Sequence, residues 1–296
     1  MRKKFLWLGT ARLPFLILTP ACIVLGLACV YSTQGEVNAL HAALVLLGAL
    51  AAHVSVNAFN EHHDFQSGLD ALTQRTPFSG GSGVLPAHPE LAGTTLTLAL
   101  GSLGICVAVG LYFLGLRGVA LLPLGALGLV LVLAYTHWLT RHPLLCLMAP
   151  GLGFGPLMIL GTQMALTGHY SVVAAVASLV PFFLVNNLLL LNQFPDAAAD
   201  RQVGRRHLLV TDGPKVSARW YAAFMALAYA SLLLGVLFGA LPPGALLGGL
   251  TAPIAWLTVR RVLTHAQDVA QLLPALRQNV LINLLTPVLM AIGIWL

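Results

Sequence analysis

The chain is 296 residues long, 58% hydrophobic and only 8% charged, with a mean hydropathy of +0.88. Such a composition excludes a water-soluble globule and describes a chain dissolved in lipid. The formal net charge of +6 speaks for membrane topology and anionic lipid, not for nucleic acid. Taken in chain order, the apolar stretches of spanning length run over 13–32, 38–59, 91–113, 118–139, 144–166, 171–193, 217–239, 243–262 and 279–296. Each is near the roughly 20 residues that a helix needs to cross the hydrocarbon. Their interiors carry Gly and Pro, which lipid-embedded helices tolerate, and Trp138, Trp220 and Trp295 fall at their ends, where indole rings favour the interface. The spacing predicts one all-α, polytopic membrane domain over 1–296 with nine transmembrane helices.

Placing the N-terminus in the cytoplasm puts 14 of the 15 Lys and Arg residues on that side, from Arg2, Lys3, Lys4 and Arg12 through to Arg277, and leaves Arg117 outside. This bias is what the positive-inside rule expects, and it fits an odd number of spans. Of the nine acidic residues only Glu36 falls outside. The basic start followed by an apolar run resembles a signal peptide, but no small-residue cleavage site follows, so the first helix is expected to be retained. The expected location is the cell (inner) membrane, with the N-terminus and the site cytoplasmic. Cys22, Cys29, Cys106 and Cys146 lie in apolar segments without metal or redox spacing and read as small buried hydrophobes.

Two connections, near 60–90 and 195–216, are longer than the rest, and long ordered connections in compact folds are usually functional. Asn60 and Asp64 close the second apolar stretch; Asn192, Asp196 and Asp200 close the sixth. Residues four apart share a helix face, so each set forms a polar ladder. Two such faces at one membrane surface make an oxygen-rich basin suited to Mg²⁺ and, through it, a diphosphate. Arg201, Arg205 and Arg206 follow the second ladder, and planar guanidinium forks suit phosphate oxygens. The Gly80-Gly81-Ser82-Gly83 run reads as a flexible turn, and His62 and His63, pointing about 100° apart on a helix, make a poor transition-metal pair.

These two segments resemble the paired Asp-rich motifs of the UbiA superfamily of intramembrane prenyltransferases. The first is similar to the menaquinone-pathway dihydroxynaphthoate branch (MenA), with Asn57, Asn60, Asp64, Phe65, Gly68 and Asp70 in register. The second, Asn192 through Arg206, is similar to the family's second motif. Further similarity lies in Arg12 ahead of Pro20 and Gly26, in Tyr135-Thr136, and in Phe154 to Thr162. Three departures stand out. Glu61 replaces the usual Asp, Pro195 stands where that branch usually has Arg, and Leu147 falls about where the Glu of a Gly-Leu-Gly-Glu stretch would be.

The resemblance implies Mg²⁺ held by Asp64, Asp70, Asp196 and Asp200, and a donor diphosphate approached by Arg12, Asn57, Asn60, Arg75, Asn192, Arg201 and Arg205. Asp64 and Asp196 would drive ionisation of a polyprenyl diphosphate. Tyr135 would turn its ring or phenol oxygen toward the allylic cation, or serve only as an interface anchor. The acceptor would be a small aromatic, with 1,4-dihydroxy-2-naphthoate the first choice and 4-hydroxybenzoate or another phenol the alternatives. A terpene cyclase ionises the same donor without an acceptor; a transporter would bury its acids near the midplane. No obligate protein partner is implied.

Overall fold

The computed structural model describes residues 3–73, 75, 76 and 79–296, with the backbone alone for Lys3 and Lys4. Arg2 of the basic N-terminus and Pro77 and Phe78 of the first motif's tail lie outside the described residues. Every described element is helical. Leu18–Gln34 (α1) and Ala39–Gln66 (α2) are followed by Ala92–Arg117 (α3) and Leu122–Ala134 (α4). Pro143–Thr167 (α5) and Val172–Gln202 (α6) come next, then Pro214–Leu237 (α7), Pro243–Thr264 (α8) and Val269–Trp295 (α9). Eight of these are long and apolar enough to cross a membrane, and α4, within the shorter apolar helix Val119–Ala134, is a ninth apolar helix, in keeping with nine spans.

Local chemistry sets several of the helix starts. Asn38 accepts a hydrogen bond from the His41 N–H at α2, Ser171 from Ala174 at α6, and Asp268 from Ala270 and Gln271 at α9. Each side chain satisfies donors that the first helical turn leaves open. Asn57, Asn60 and Asp64 recur at helical spacing, as do Asn192, Asp196 and Asp200, and the helices continue through both sets. The acids therefore ride on α2 and α6 themselves instead of on loops, and α6 continues through Pro195.

Helix α1 lies inside the bundle, packed against α9 and α5, while α6 packs on α7, α5 and α9. One continuous core runs through α1, α5, α6, α7, α8 and α9, from Leu25 to Ile294. Small residues bring the backbones close: a β-carbon on Gly151 would fall 2.1 Å from the Phe182 carbonyl oxygen, and one on Gly244 1.9 Å from that of Gly293. These spacings are packing contacts of the kind that membrane bundles use. The four cysteines are free, three of them buried. The α2–α3 pair packs along the other side, with α4 against α2, and a large cavity opens between the two groups of helices.

Candidate active site

The polar end of that cavity is built where α2 and α6 finish. Asn60 donates from Nδ2 to Asp64 Oδ2 at 3.0 Å, one helical turn away, and receives the Thr136 hydroxyl at Oδ1 at 3.3 Å. Arg205 joins the two ladders. One guanidinium nitrogen bonds Asp64 on α2, and Nη1 bonds Asp200 on α6 at 3.0 Å. The Arg205 side chain is 17% exposed and its partners 6% and 2%, so this is a desolvated triad in which removing one partner strands a charge. Burial alone would lower the Arg205 pKa, but the two carboxylates outweigh it and hold the guanidinium charged. His207 closes the far side of Asp200, with Nε2 2.8 Å from Oδ2. The chain after Gly204 is further tied across the site by Arg206 N–H donating to the Thr140 carbonyl.

A second ionic knot lies beside the first. Glu61, fully buried, receives Arg12 Nε at 2.6 Å, the Ser82 N–H at 2.8 Å and the Ser82 hydroxyl at 2.6 Å. The residue that differs from the family pattern thus pins the N-terminal arm and the glycine run to α2. Asn57 serves the same arm, donating to the Ala11 carbonyl at 3.0 Å, and Arg12 turns the chain with φ +52°, the one non-glycine residue with positive φ among those described. The glycine run is a fixed wall of the site. A β-carbon on Gly81 (φ +71°) would sit 3.0 Å from Asp70 Oδ1, and one on Gly83 (φ +70°) would fall inside the Arg75 guanidinium. Positive φ and the absence of a side chain are both required there.

The predicted site residues divide by placement. Arg12, Asn57, Asn60, Asp64, Asp70, Tyr135, Asn192, Asp196, Asp200 and Arg205 all line one cavity of about 680 Å³. Arg75 and Arg201 do not: Arg75 donates to the Ser82 carbonyl, and the exposed Arg201 to that of Val210. Tyr135 is half-buried in the cavity wall beside Thr136, which holds Asn60. Glu61, Ser82 and His207 went unnoticed in the sequence as parts of the site. Only Glu61 carried a signal there, as a departure from the family's Asp.

Three acceptor oxygens at this end, Asp70 Oδ2, Asn192 Oδ1 and Asp196 Oδ1, are buried without a hydrogen-bond partner. Unpaired buried acceptors are costly, and an all-oxygen set of this kind fits a hard divalent cation. Among the described residues no three His, Cys, Asp or Glu side chains already converge on one ion, so a cation here would complete its shell with oxygens from elsewhere. Burial, followed by the charges of Glu61 and Asp64, pushes the Asp70 carboxyl up to about 7. Below that pH the cation must displace a proton. We expect Mg²⁺ affinity to fall by up to about tenfold over the first pH unit below 7 and to level off above it. Calorimetry in two buffers of different ionisation enthalpy reads the released proton directly; no proton release at pH 6.5 would remove Asp70 from the ligand set.

Away from the acids the same cavity becomes apolar, bounded by side chains such as Val45, Val109, Leu129, Leu157 and Met158. The chain is thus a helical membrane bundle with paired acid ladders at the mouth of an apolar interhelical cavity. The UbiA prenyltransferase family profile matches residues 17–280, and the chain belongs to that family, which makes it a membrane-embedded prenyltransferase. It is 27% identical over 215 residues to a 1,4-dihydroxy-2-naphthoate octaprenyltransferase of Bacillus subtilis, covering 71% of this chain and 67% of that one. A protein of the same name from Escherichia coli is 28% identical over 302 residues, covering 98% and 95%. The fold is shared with a UbiA homologue from Archaeoglobus fulgidus solved with DMAPP and Mg²⁺, at a TM-score of 0.70 and 13% identity over 98% of each chain.

Proposed function

We propose that the protein transfers an isoprenyl group from a polyprenyl diphosphate to an aromatic quinone precursor, with 1,4-dihydroxy-2-naphthoate as the first candidate, at the cytoplasmic face of the cell membrane. The observation that carries this reading is the continuity of the acid-lined mouth with the apolar cavity, which matches a substrate with a diphosphate head and an isoprenoid tail. The names of the two bacterial relatives support the naphthoate acceptor, and the ligands of the archaeal homologue support an allylic diphosphate with Mg²⁺.

Asp64, Asp70, Asp196 and Asp200 would hold Mg²⁺, which when bound neutralises the charge that the departing diphosphate gains. Asn60 and Asn192 orient the head group, and Arg205 and Arg12 give it guanidinium contacts. Arg75 and Arg201 reach it only by leaving their present carbonyl partners. The allylic C–O bond breaks, its electron pair leaving with the diphosphate, and Tyr135 turns its ring toward the cation that remains. An electron-rich aromatic carbon then forms the new C–C bond and loses a proton, or carbon dioxide where a carboxylate sits at that carbon.

Protein in lipid nanodiscs, given one labelled prenyl diphosphate, tests this with dihydroxynaphthoate, with 4-hydroxybenzoate and with no acceptor. Product with the naphthoate is the expected result. Product with the monocyclic phenol alone would change the acceptor, and diphosphate release with a cyclised hydrocarbon and no acceptor would make the protein a cyclase. Activity should vanish in excess chelator and return with Mg²⁺ or Mn²⁺ but not with Zn²⁺ alone, since the donor set is all oxygen.

A further inference from the structure

One cavity-lining group has no part in the site described so far. His53 is on α2 on the same face as Asn57, Asn60 and Asp64, at steps of four, three and four residues. Two helical turns, about 10 Å at 1.5 Å per residue, separate it from Asn60. Its ring is held from two sides. Thr19 Oγ1 on α1 is 2.8 Å from Nδ1, and the Phe154 ring of α5 meets it edge-to-face with centroids 4.8 Å apart. The residue is only 6% exposed, yet it lines the cavity, and among the described residues nothing hydrogen-bonds Nε2. Nε2 is therefore open to the cavity, not sealed in the packing between helices. Here one nitrogen is anchored and the other is left for something that enters the cavity.

We propose that His53 binds the aromatic acceptor: Nε2 receives the phenolic O–H, in the tautomer that donates Nδ1–H to Thr19 Oγ1. The inference rests on the acceptor reading given under Proposed function. A neutral imidazole, with one nitrogen already engaged, offers its other nitrogen as an acceptor suited to a phenolic O–H. The position, past the acid mouth and on the isoprenoid side, is where a flat aromatic would lie beside an allylic carbon whose diphosphate is held at Asn60 and Asp64. Accepting that hydrogen bond raises electron density on the ring that must attack the cation. Thr19 and Phe154 thereby become positioning residues, fixing the imidazole's tautomer and plane.

The test compares wild type with H53F, H53Q and T19V in nanodiscs, measuring the KM of dihydroxynaphthoate and of the prenyl diphosphate separately, with thermal melting as a folding control. H53F should raise the acceptor KM about tenfold or more, the scale of leaving a substrate hydroxyl unpaired. The donor KM should stay within about twofold. H53Q, whose amide oxygen accepts a hydrogen bond, should retain most of the acceptor affinity, and T19V should lie between. An unchanged acceptor KM in folded H53F, or a donor KM that rises in parallel, overturns the assignment. If H53F does not accumulate, T19V decides, and an unchanged acceptor KM there overturns it as well. Wild-type protein that binds the donor but neither binds nor prenylates any phenol refutes instead the acceptor reading on which the inference rests.

Discussion

Replacing Asp64 or Asp196 by Ala should lower turnover by at least about a hundredfold, the loss expected when a strong electrostatic stabiliser is removed from a preorganised site. The two variants should part company in stability. Asp64 is bonded by Arg205 and by Asn60, so its removal leaves a buried guanidinium with Asp200 as its remaining carboxylate. That variant should lose about 1–3 kcal/mol, as for other orphaned buried groups. Asp196 makes no ion pair: one oxygen is buried without a partner, and the carboxylate otherwise meets Ser79 and the Gly80 N–H, so its removal should lower the melting temperature of the metal-free protein less than removal of Asp64. Melting in detergent beside turnover in nanodiscs separates the outcomes. A well-folded Asp64→Ala enzyme with near wild-type rates would mean that the acid basin has been misassigned, and an Asp196→Ala enzyme that melts early but turns over normally would make Asp196 structural.

The contrast between these two aspartates marks what the sequence makes legible and what it does not. The helices follow from apolar runs, and the ladders from a four-residue spacing that only a helix turns into a face. Their lengths follow less well, because hydropathy marks only the apolar runs, which end at 59 and 193. Helix α2 instead continues past the apolar run to Gln66 and α6 to Gln202, and the cavity gives their polar ends something to line. Contacts made across long sequence separations left no pattern. Glu61 meets Arg12 across 49 residues and Ser82 across 21, and no periodicity connects them. The glycine run likewise reads as a loose turn until Glu61 and Asp70 are placed against it. Arginines are hardest of all, since composition shows only that they gather beside the acids. Arg12 and Arg205 reach the cavity, while Arg75 and Arg201 spend their donors on backbone carbonyls.

Arg205→Gln should separate metal binding from donor binding. In the metal-free protein the guanidinium supplies the positive charge between Asp64 and Asp200, a place that a divalent cation also favours. Its removal leaves two buried carboxylates without their shared cation, a change that costs about 3–5 kcal/mol where the pair is desolvated. The variant should therefore melt well below wild type without Mg²⁺. The same loss of a unit positive charge should strengthen Mg²⁺ binding on the order of tenfold, and ligand that binds only the folded state raises stability by mass action. Millimolar Mg²⁺ should thus recover more melting temperature in Arg205→Gln than in wild type. The donor responds in the opposite direction: with a charged fork gone from the head-group site, affinity for a prenyl thiodiphosphate should drop about a hundredfold at saturating Mg²⁺. Opposite signs for metal and diphosphate identify Arg205 as a group that stands in for the cation and serves the diphosphate once the cation has arrived. Weaker binding of both would show that Gln had only disordered the site, and unchanged diphosphate affinity would confine Arg205 to holding α2 and α6 together.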